Sequence, residues 1–357
     1  MNRRIKTAIA MLAALALSVS FLLPAGAITD KQKRIFDDAA SPVGAAIVYD
    51  LTDDLVLYTK NGKKHIRVAS ITKVLNACTA AQFFEAGDPI TVGSELSLMY
   101  WNSSTAPVHR GETYTFEQLL HAMLLPSGCD AAYALAAAAG RRAAGDSSLS
   151  ARAALNSFTK EMNKFLKKLG CTDSHFVNPD GQDADGQYTT CMDYIKVLRY
   201  AVEHPLISKV IRKAEYECVD LDGRYHYFCT TNMMLGGGYP GAIGIKTGTT
   251  SLAGYCVATA AQRNGKIMIT LVVNAPSHVS RYTVSTNLLN AAFACRLMGD
   301  IDYDGRVTPE DARLTLRISV WLENPDDYDL EYADMDGDRS ITPADARTVL
   351  RLSVGLK

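Results

Sequence analysis

The strongest constraint on how this chain folds is an acidic stretch that occurs twice near its C-terminal end. Asp300-Ile301-Asp302-Tyr303-Asp304-Gly305-Arg306-Val307-Thr308-Pro309-Glu310-Asp311-Ala312-Arg313 recurs as Asp334-Met335-Asp336-Gly337-Asp338-Arg339-Ser340-Ile341-Thr342-Pro343-Ala344-Asp345-Ala346-Arg347. Each copy runs into a similar helix, Leu316-Arg317-Ile318-Ser319-Val320 and Leu350-Arg351-Leu352-Ser353-Val354. Carboxylates at loop positions 1, 3, 5 and 12, with a backbone carbonyl at position 7, wrap a hard cation in the manner of an EF-hand calcium loop. The first copy offers Asp300, Asp302, Asp304, the Arg306 carbonyl and Asp311; the second offers Asp334, Asp336, Asp338, the Ser340 carbonyl and Asp345. A duplicated loop and helix reads as a folded unit and not as a solvated acidic tail. Residues 299–357 are therefore expected to form a small all-α, EF-hand-like domain with two Ca²⁺ sites. Position 6 is Gly305 in the first loop but Arg339 in the second, so weaker binding is expected at the second.

The remaining length leaves room for one large domain. Of 357 residues, 48% are hydrophobic and 21% charged, ordinary for a globular protein with a sizeable core. A net charge of -1 gives no reason to expect nucleic acid as a partner. Met1 to Lys6 is basic, Ala8 to Leu23 is apolar, and Pro24-Ala25-Gly26-Ala27 ends in small residues. Residues 1–27 are expected to be a secretory signal peptide cleaved after Ala27, which makes the mature protein exported. The apolar run is short for a membrane anchor, and no later stretch is long and apolar enough to span a bilayer. The eight cysteines show no recognisable pairing pattern, and Cys78 and Cys256 sit in apolar runs. Mostly free, buried thiols are expected, with Cys218 and Cys229 the first pair to test.

Pro42 to Asp50 and Leu55 to Thr59 read as a hairpin around Thr52-Asp53-Asp54. Val68 to Ala81 opens a helix that stops near Gly87-Asp88-Pro89. Loops and short strands follow to Gly111, and Thr115 caps a further helix with Gln118 three residues on. Pro126-Ser127-Gly128 breaks the chain before an Ala-rich helix, which places Ser127 on a tight exposed turn. Ser150 to Leu169 reads as helix, Thr189-Thr190 caps another running to His204, and Glu215 to Met234 is mixed. Ala253 to Gln262 and Lys266 to Asn274 are β-like runs joined by Arg263-Asn264-Gly265, and Ser280 to Met298 reads as helix. Strands at both ends of this domain and helices in the middle give an α+β class, an antiparallel sheet with a helical subdomain.

Ser70-Ile71-Thr72-Lys73 places a hydroxyl and an amine at i and i+3, on one helix face. Serine is a poor nucleophile without a neighbouring base, and a lysine amine serves as base only when neutral. Alone, the motif is also satisfied by a capped amphipathic helix with an exposed lysine, and Ser127 by a helix cap. The order Ser70-x-x-Lys73, Ser127-Gly128-Cys129, Lys246-Thr247-Gly248 is more specific, a signature set shared by penicillin-binding proteins and class A β-lactamases. With Leu124-Leu125-Pro126, Asn178-Pro179-Asp180-Gly181, Thr249-Thr250 and Ala253-Gly254-Tyr255-Cys256, the stretch from about Ala40 to Met298 resembles the low-molecular-mass D-alanyl-D-alanine carboxypeptidases, and residues 28–298 are expected to form that domain. The duplicated C-terminal unit resembles a dockerin type I module, which docks onto cohesins.

The resemblance implies a fold of the β-lactamase and penicillin-binding-protein type and a serine peptidase that needs no cofactor for catalysis. Ser70 would attack the carbonyl between two D-alanines, Lys73 would take its proton, and Ser127 would relay a proton to the leaving D-alanine. Lys246, Thr247, Gly248 and Thr249 would hold the substrate carboxylate, with the Ser70 and Thr249 amides as oxyanion hole. Cys129 stands where the family usually has asparagine and offers no amide to substrate. The family's histidine before the second cap is absent, and Gln187-Tyr188-Thr189 stands there. No Glu-x-x-x-Asn of the β-lactamase kind follows, nor the C-terminal β-domain or amphipathic anchor that many such carboxypeptidases carry. Peptidoglycan stem peptides as substrate, β-lactams as inhibitors and a cohesin-bearing scaffold as partner are the expectations. They place the protein outside the cell, at the wall or a scaffold. A catalytically weakened wall-binding protein, with the dockerin as its main module, is the other reading.

Overall fold

The computed structural model describes residues 28–356; the expected signal peptide lies outside the described residues. The chain enters through α1 (Asp30–Ala40), closed by a capping box between Thr29 and Gln32. β1 (Ala45–Asp50) and β2 (Leu55–Lys60) form the expected hairpin. The turn Ala69–Ile71 leads directly into α2 (Thr72–Ala80). A two-strand ladder of β3 (Pro89–Thr91) and β4 (Thr113–Thr115) precedes α3 (Phe116–Leu124), α4 (Cys129–Ala144) and α5 (Ala151–Lys168). Then come α6 (Cys191–Glu203), α7 (Pro205–Ile211) and a hairpin of β5 (Glu215–Val219) with β6 (Tyr225–Cys229), which resolves the mixed segment. β7 (Ala242–Thr250), β8 (Gly254–Arg263) and β9 (Lys266–Ala275) follow, and α8 (His278–Phe293) closes the domain.

The main sheet has the order β2-β1-β9-β8-β7, antiparallel throughout, so the two ends of the domain sequence meet at β1 and β9. All six residues of β1 are buried, because both faces of the sheet are covered. Ala45, Ile47 and Tyr49 face the large core of the helical lobe, while Ala46 and Val48 face the layer of α1 and α8. Asn264 and Gly265 adopt the positive φ that a tight β8–β9 turn requires. In the helical lobe, α4 and α5 cross at Gly140, where a Cβ would lie 1.9 Å from the Ala154 carbonyl oxygen.

Two expectations are corrected. The last helix runs from His278, capped by Ser277, and stops at Phe293 instead of Met298. Leu297 and Met298 are instead apolar contacts of two different cores. Cys218 pairs across the hairpin with His226 and Cys229 with Glu215, so the two cysteines lie three ladder steps apart, about 10 Å. That exceeds the reach of a disulfide, and all eight cysteines are free thiols, five of them buried.

The C-terminal unit consists of α9 (Pro309–Ser319) and α10 (Pro343–Ser353), each capped by a reciprocal box, Thr308 with Asp311 and Thr342 with Asp345. Its small core is Ile301, Ile318, Tyr332 and Ala333. Both acidic loops take positive φ at positions 4 and 6, Tyr303 and Gly305 in the first and Gly337 and Arg339 in the second.

Candidate active site

Ser70 lies in the turn before α2, and the i to i+3 spacing puts Lys73 Nζ 2.9 Å from its Oγ. Lys73 is fully buried, not exposed as the plain amphipathic-helix reading requires. Its amine also donates to the Asp180 carbonyl at 3.3 Å and reaches Ser127 Oγ at 3.5 Å. One amine therefore joins both serines and the Asn178-Pro179-Asp180-Gly181 turn. Gly181 has φ +90°, and a Cβ there would lie 1.9 Å from the Ala69 carbonyl oxygen. Only glycine lets that turn lie against the Ser70 turn. Asn76, one helical turn beyond Lys73, donates to the Pro179 carbonyl at 3.0 Å and the Ala132 carbonyl at 3.1 Å.

Ser127 is 7% exposed, which corrects the expected exposed turn. The strap containing Ser104 and Ala106 covers it. Ser104 Oγ donates to the Ser127 carbonyl at 2.7 Å, and the Cys129 amide donates to the Ser104 carbonyl at 2.8 Å. The Asp130 carboxylate accepts from the amides of Ala106, Val108 and Ala131 at 2.9 to 3.0 Å. Ser127 has φ +68°, a conformation that costs on the order of 1–3 kcal/mol for a residue other than glycine. Those bonds offset it. Cys129 is buried with its thiol 3.7 Å from Ser104 Oγ, and burial pushes that thiol up from its ordinary pKa.

From the other side comes β7. Lys246 is buried, with Nζ donating to the Thr247 carbonyl at 3.0 Å and to Thr231 Oγ1 at 3.5 Å. Burial first, and the nearby Lys73 second, hold the Lys246 amine well below the usual lysine range. The bonding partners of both amines are uncharged oxygens, which leaves the crevice suited to an anionic group. Thr247 Oγ1 lies 2.6 Å from Thr231 Oγ1, and exposed Thr249 accepts from Arg281 at 3.2 Å. Arg281, buried in α8, also donates to the Gly248 carbonyl at 3.4 Å. A Cβ at Gly248 would lie 2.7 Å from the Val68 carbonyl and 3.0 Å from the Ser70 amide. The close approach at that glycine is made by the chain's own Ser70 turn.

The structure thus brings Ser70, Lys73, Ser127, Cys129, Lys246, Thr247, Gly248 and Thr249 around one crevice. Sequence reasoning missed Asn76, Ser104, Asp130, Thr231 and Arg281. Asn76 had a signal, a lone amide in an apolar run at i+3 from Lys73. In the stretch without the family's histidine, Gln187 accepts from the amides of Val177 and Asn178 and so shapes the turn behind Lys73.

In the acidic loops, carboxylate oxygens of Asp300, Asp302 and Asp311 lie within 4.8 Å of one another, as do those of Asp334, Asp336 and Asp338. Asp300 Oδ1 is buried without a hydrogen-bond partner, and burial with Asp311 pushes its carboxyl up to about 6. Such a set fits a hard cation. Asp304, which accepts from the Arg306 amide, and Asp345, which accepts from the Thr342 and Met335 amides, lie outside the clusters. Arg306 and Ser340 are held through their amides, which fixes the carbonyls expected at position 7.

Two serines and two buried lysines, drawn from α2 with the turn before it, the turn before α4, and β7, thus share one crevice between the sheet and the helical lobe. The sequence matches the D-alanyl-D-alanine carboxypeptidase family (peptidase S11) over residues 32–277 and the dockerin type I domain over residues 298–352. The chain belongs to this carboxypeptidase family, a family of serine-type enzymes, and ends in a dockerin type I domain. It is 32% identical to the D-alanyl-D-alanine carboxypeptidase of Streptomyces sp. (strain K15) over 67% of this chain and 82% of that one. It is 25% identical to the carboxypeptidase DacF of Bacillus subtilis over 72% of this chain and 64% of the relative. The crystal structure of the Streptomyces K15 DD-transpeptidase matches with TM-score 0.65 and 30% identity, over 71% of this chain and 97% of that one. Penicillin-binding protein D2 of Listeria monocytogenes, in its ampicillin-bound form, matches with TM-score 0.58 and 26% identity, over 71% and 97%. Family members act on peptidoglycan and bind β-lactams, and dockerin type I domains are generally calcium-binding, with cohesins as partners. No described helix is long and apolar enough to cross a membrane.

Proposed function

We propose that this is an exported enzyme that releases the terminal D-alanine of peptidoglycan stem peptides through an acyl-enzyme on Ser70. The observation that carries the reading is the single buried amine of Lys73 within reach of both Ser70 Oγ and Ser127 Oγ. Lys73 takes the Ser70 proton as Oγ attacks the carbonyl, and Ser127 passes a proton to the departing D-alanine nitrogen. The substrate's terminal carboxylate sits toward Lys246, Thr247 and Thr249, with Thr231 and Arg281 fixing those hydroxyls. The Ser70 and Thr249 amides receive the oxyanion; one such donor is worth about 3–4 kcal/mol in acyl transfer. β-Lactams acylate the same serine.

In this reading residues 1–27 are the export signal, 28–298 the catalytic domain and 299–357 the dockerin. Asp300, Asp302 and Asp311, with Asp304 and the Arg306 carbonyl, hold one Ca²⁺; Asp334, Asp336 and Asp338, with the Ser340 carbonyl and Asp345, hold a second. Bound Ca²⁺ supplies the charge that gathers these carboxylates and sets the dockerin for a cohesin on an extracellular scaffold. The test is D-alanine release from a peptide ending in Lys-D-Ala-D-Ala, with the mature protein beside Ser70→Ala. Release by wild type alone is expected. A folded wild type that releases nothing sinks the enzymatic reading and favours the wall-binding one.

A further inference from the structure

The stretch between α8 and the first acidic loop is packed along its length. Leu297 joins the core beneath α1 and α8, and Met298, the next residue, joins the core of Ile301, Ile318 and Tyr332. The Gly299 amide donates to the Tyr332 carbonyl at 2.8 Å. The Arg296 guanidinium lies 3.9 Å from the ring centroids of both Tyr303 and Tyr332, and its Nη1 is 3.3 Å from Asp329. Its Nε and Nη2 are buried without hydrogen-bond partners, so the two aromatic faces are what holds them.

A second fastening is made by Lys266. At the β8–β9 turn, it donates to the Gly305 carbonyl at 2.8 Å and to Asp53 at 3.2 Å, with Asp50 at 3.9 Å. The Gly305 amide in turn donates to Asp300 Oδ2 at 3.1 Å, the first position of the cation loop. On α1, Gln32 reaches the Tyr332 hydroxyl at 3.5 Å. Where the two units meet, a cavity of about 330 Å³ remains, lined by Asp53, Leu55 and Leu297 on one side and Arg306, Val307 and Leu352 on the other. The junction therefore depends on its two cationic clasps and on Leu297 more than on continuous apolar packing.

We propose that Arg296 and Lys266 clamp the dockerin to the catalytic domain as one cooperative unit, so that a cation in the Asp300 loop stabilises the catalytic domain too. The proposal rests on the calcium reading of that loop. A ligand that binds only the folded state stabilises whatever unfolds together with its site. A dockerin on a loose tether would confine that stabilisation to itself. Clamped, it also holds α9 and α10 at a fixed attitude to the active-site crevice.

The test is calorimetry of the full mature chain in Ca²⁺ and in chelator, with labelling of Ser70 by a fluorescent penicillin as a second reporter of the catalytic domain. For wild type we expect one transition that Ca²⁺ raises by about 5 °C, with the labelling midpoint moving in step. In Lys266→Ala/Arg296→Ala the trace should split, with Ca²⁺ moving only the smaller transition. Lys266→Ala alone, which leaves the aromatic clasp, should give a reduced common shift. If the penicillin fails to label, the carboxypeptidase reading suffers and the calorimetric trace still decides the clamp. Two independent wild-type transitions, no calcium shift, or an unchanged shift in the double variant would overturn the proposal.

Discussion

Asp130 is where a stability measurement and an activity measurement report on the same bonds. It sits in the first turn of α4, where a carboxylate is favoured by the helix dipole, and is 2% exposed. Burial raises its pKa above the usual carboxylate value, against the lowering effect of the Val108 and Ala106 amides. Asp130→Ala leaves three buried backbone N–H groups without an acceptor. Hydrogen bonds to a charged group are worth about 1.5–3 kcal/mol each, so the gross loss is about 5–9 kcal/mol. Removing the carboxylate also removes its desolvation penalty of several kcal/mol, which leaves a net loss of about 3–4 kcal/mol. Asp130→Asn keeps one acceptor and should lose about 2 kcal/mol. The assay is urea unfolding, together with the second-order rate of β-lactam acylation under conditions where each variant is folded. Freeing Ala106 and Val108 loosens the strap that carries Ser104, and Ser104 holds the Ser127 carbonyl. Acylation should therefore fall at least about tenfold. An alanine variant within about 1 kcal/mol of wild type that acylates at the wild-type rate would show that the strap does not set Ser127.

Three further outcomes follow from the same structure. His121 is buried, donates to the Glu117 carbonyl, stacks on Tyr216, and is pushed down by burial to about 4. Its folded pKa is depressed, so the unfolded chain binds the extra proton, and the stability tied to it is lost as pH falls from about 6.5 to 4, about 3 kcal/mol in all. Denaturation of wild type and His121→Leu across that window should show the gap closing by that amount; parallel curves count against it. Among the thiols, exposed Cys229 should be the first alkylated by iodoacetamide, with buried Cys78, Cys191 and Cys256 at least about tenfold slower until the chain unfolds, as mass spectrometry would read. Arg339→Gly removes a left-handed side-chain-bearing residue and should stabilise the second loop by about 1 kcal/mol, visible as a higher calorimetric midpoint.

The elements legible in the sequence were those specified locally. The Asn264-Gly265 turn, the Thr115 and Gln118 capping box, the Ser70 to Lys73 spacing and the duplicated loops each depend on residues a few positions apart. What escaped depends on distant chain segments meeting. Whether Ser127 is exposed is decided by a strap more than twenty residues upstream, and a Pro-Ser-Gly break carries no trace of it. Thr231 and Arg281 reach the crevice from a segment that read as mixed and from an ordinary helix; their polar ends matter only because β7 lies between them. The end of α8 was misplaced because Leu297 and Met298 continue an apolar pattern, although each satisfies a separate core.

The strand order carries one more consequence. An open sheet has two bare margins, and a bare margin invites pairing with another copy of the chain. Here the β2 margin lies beside α1 and the seam with the C-terminal unit, while the β7 margin is faced by the Ser70 turn, packed as close as Gly248 allows. An extended backbone that tries to join the sheet at β7 must pass the buried amines of Lys73 and Lys246 and the hydroxyl of Ser70. The turn that carries Ser70 thus also shields the β7 margin from pairing with a neighbouring molecule.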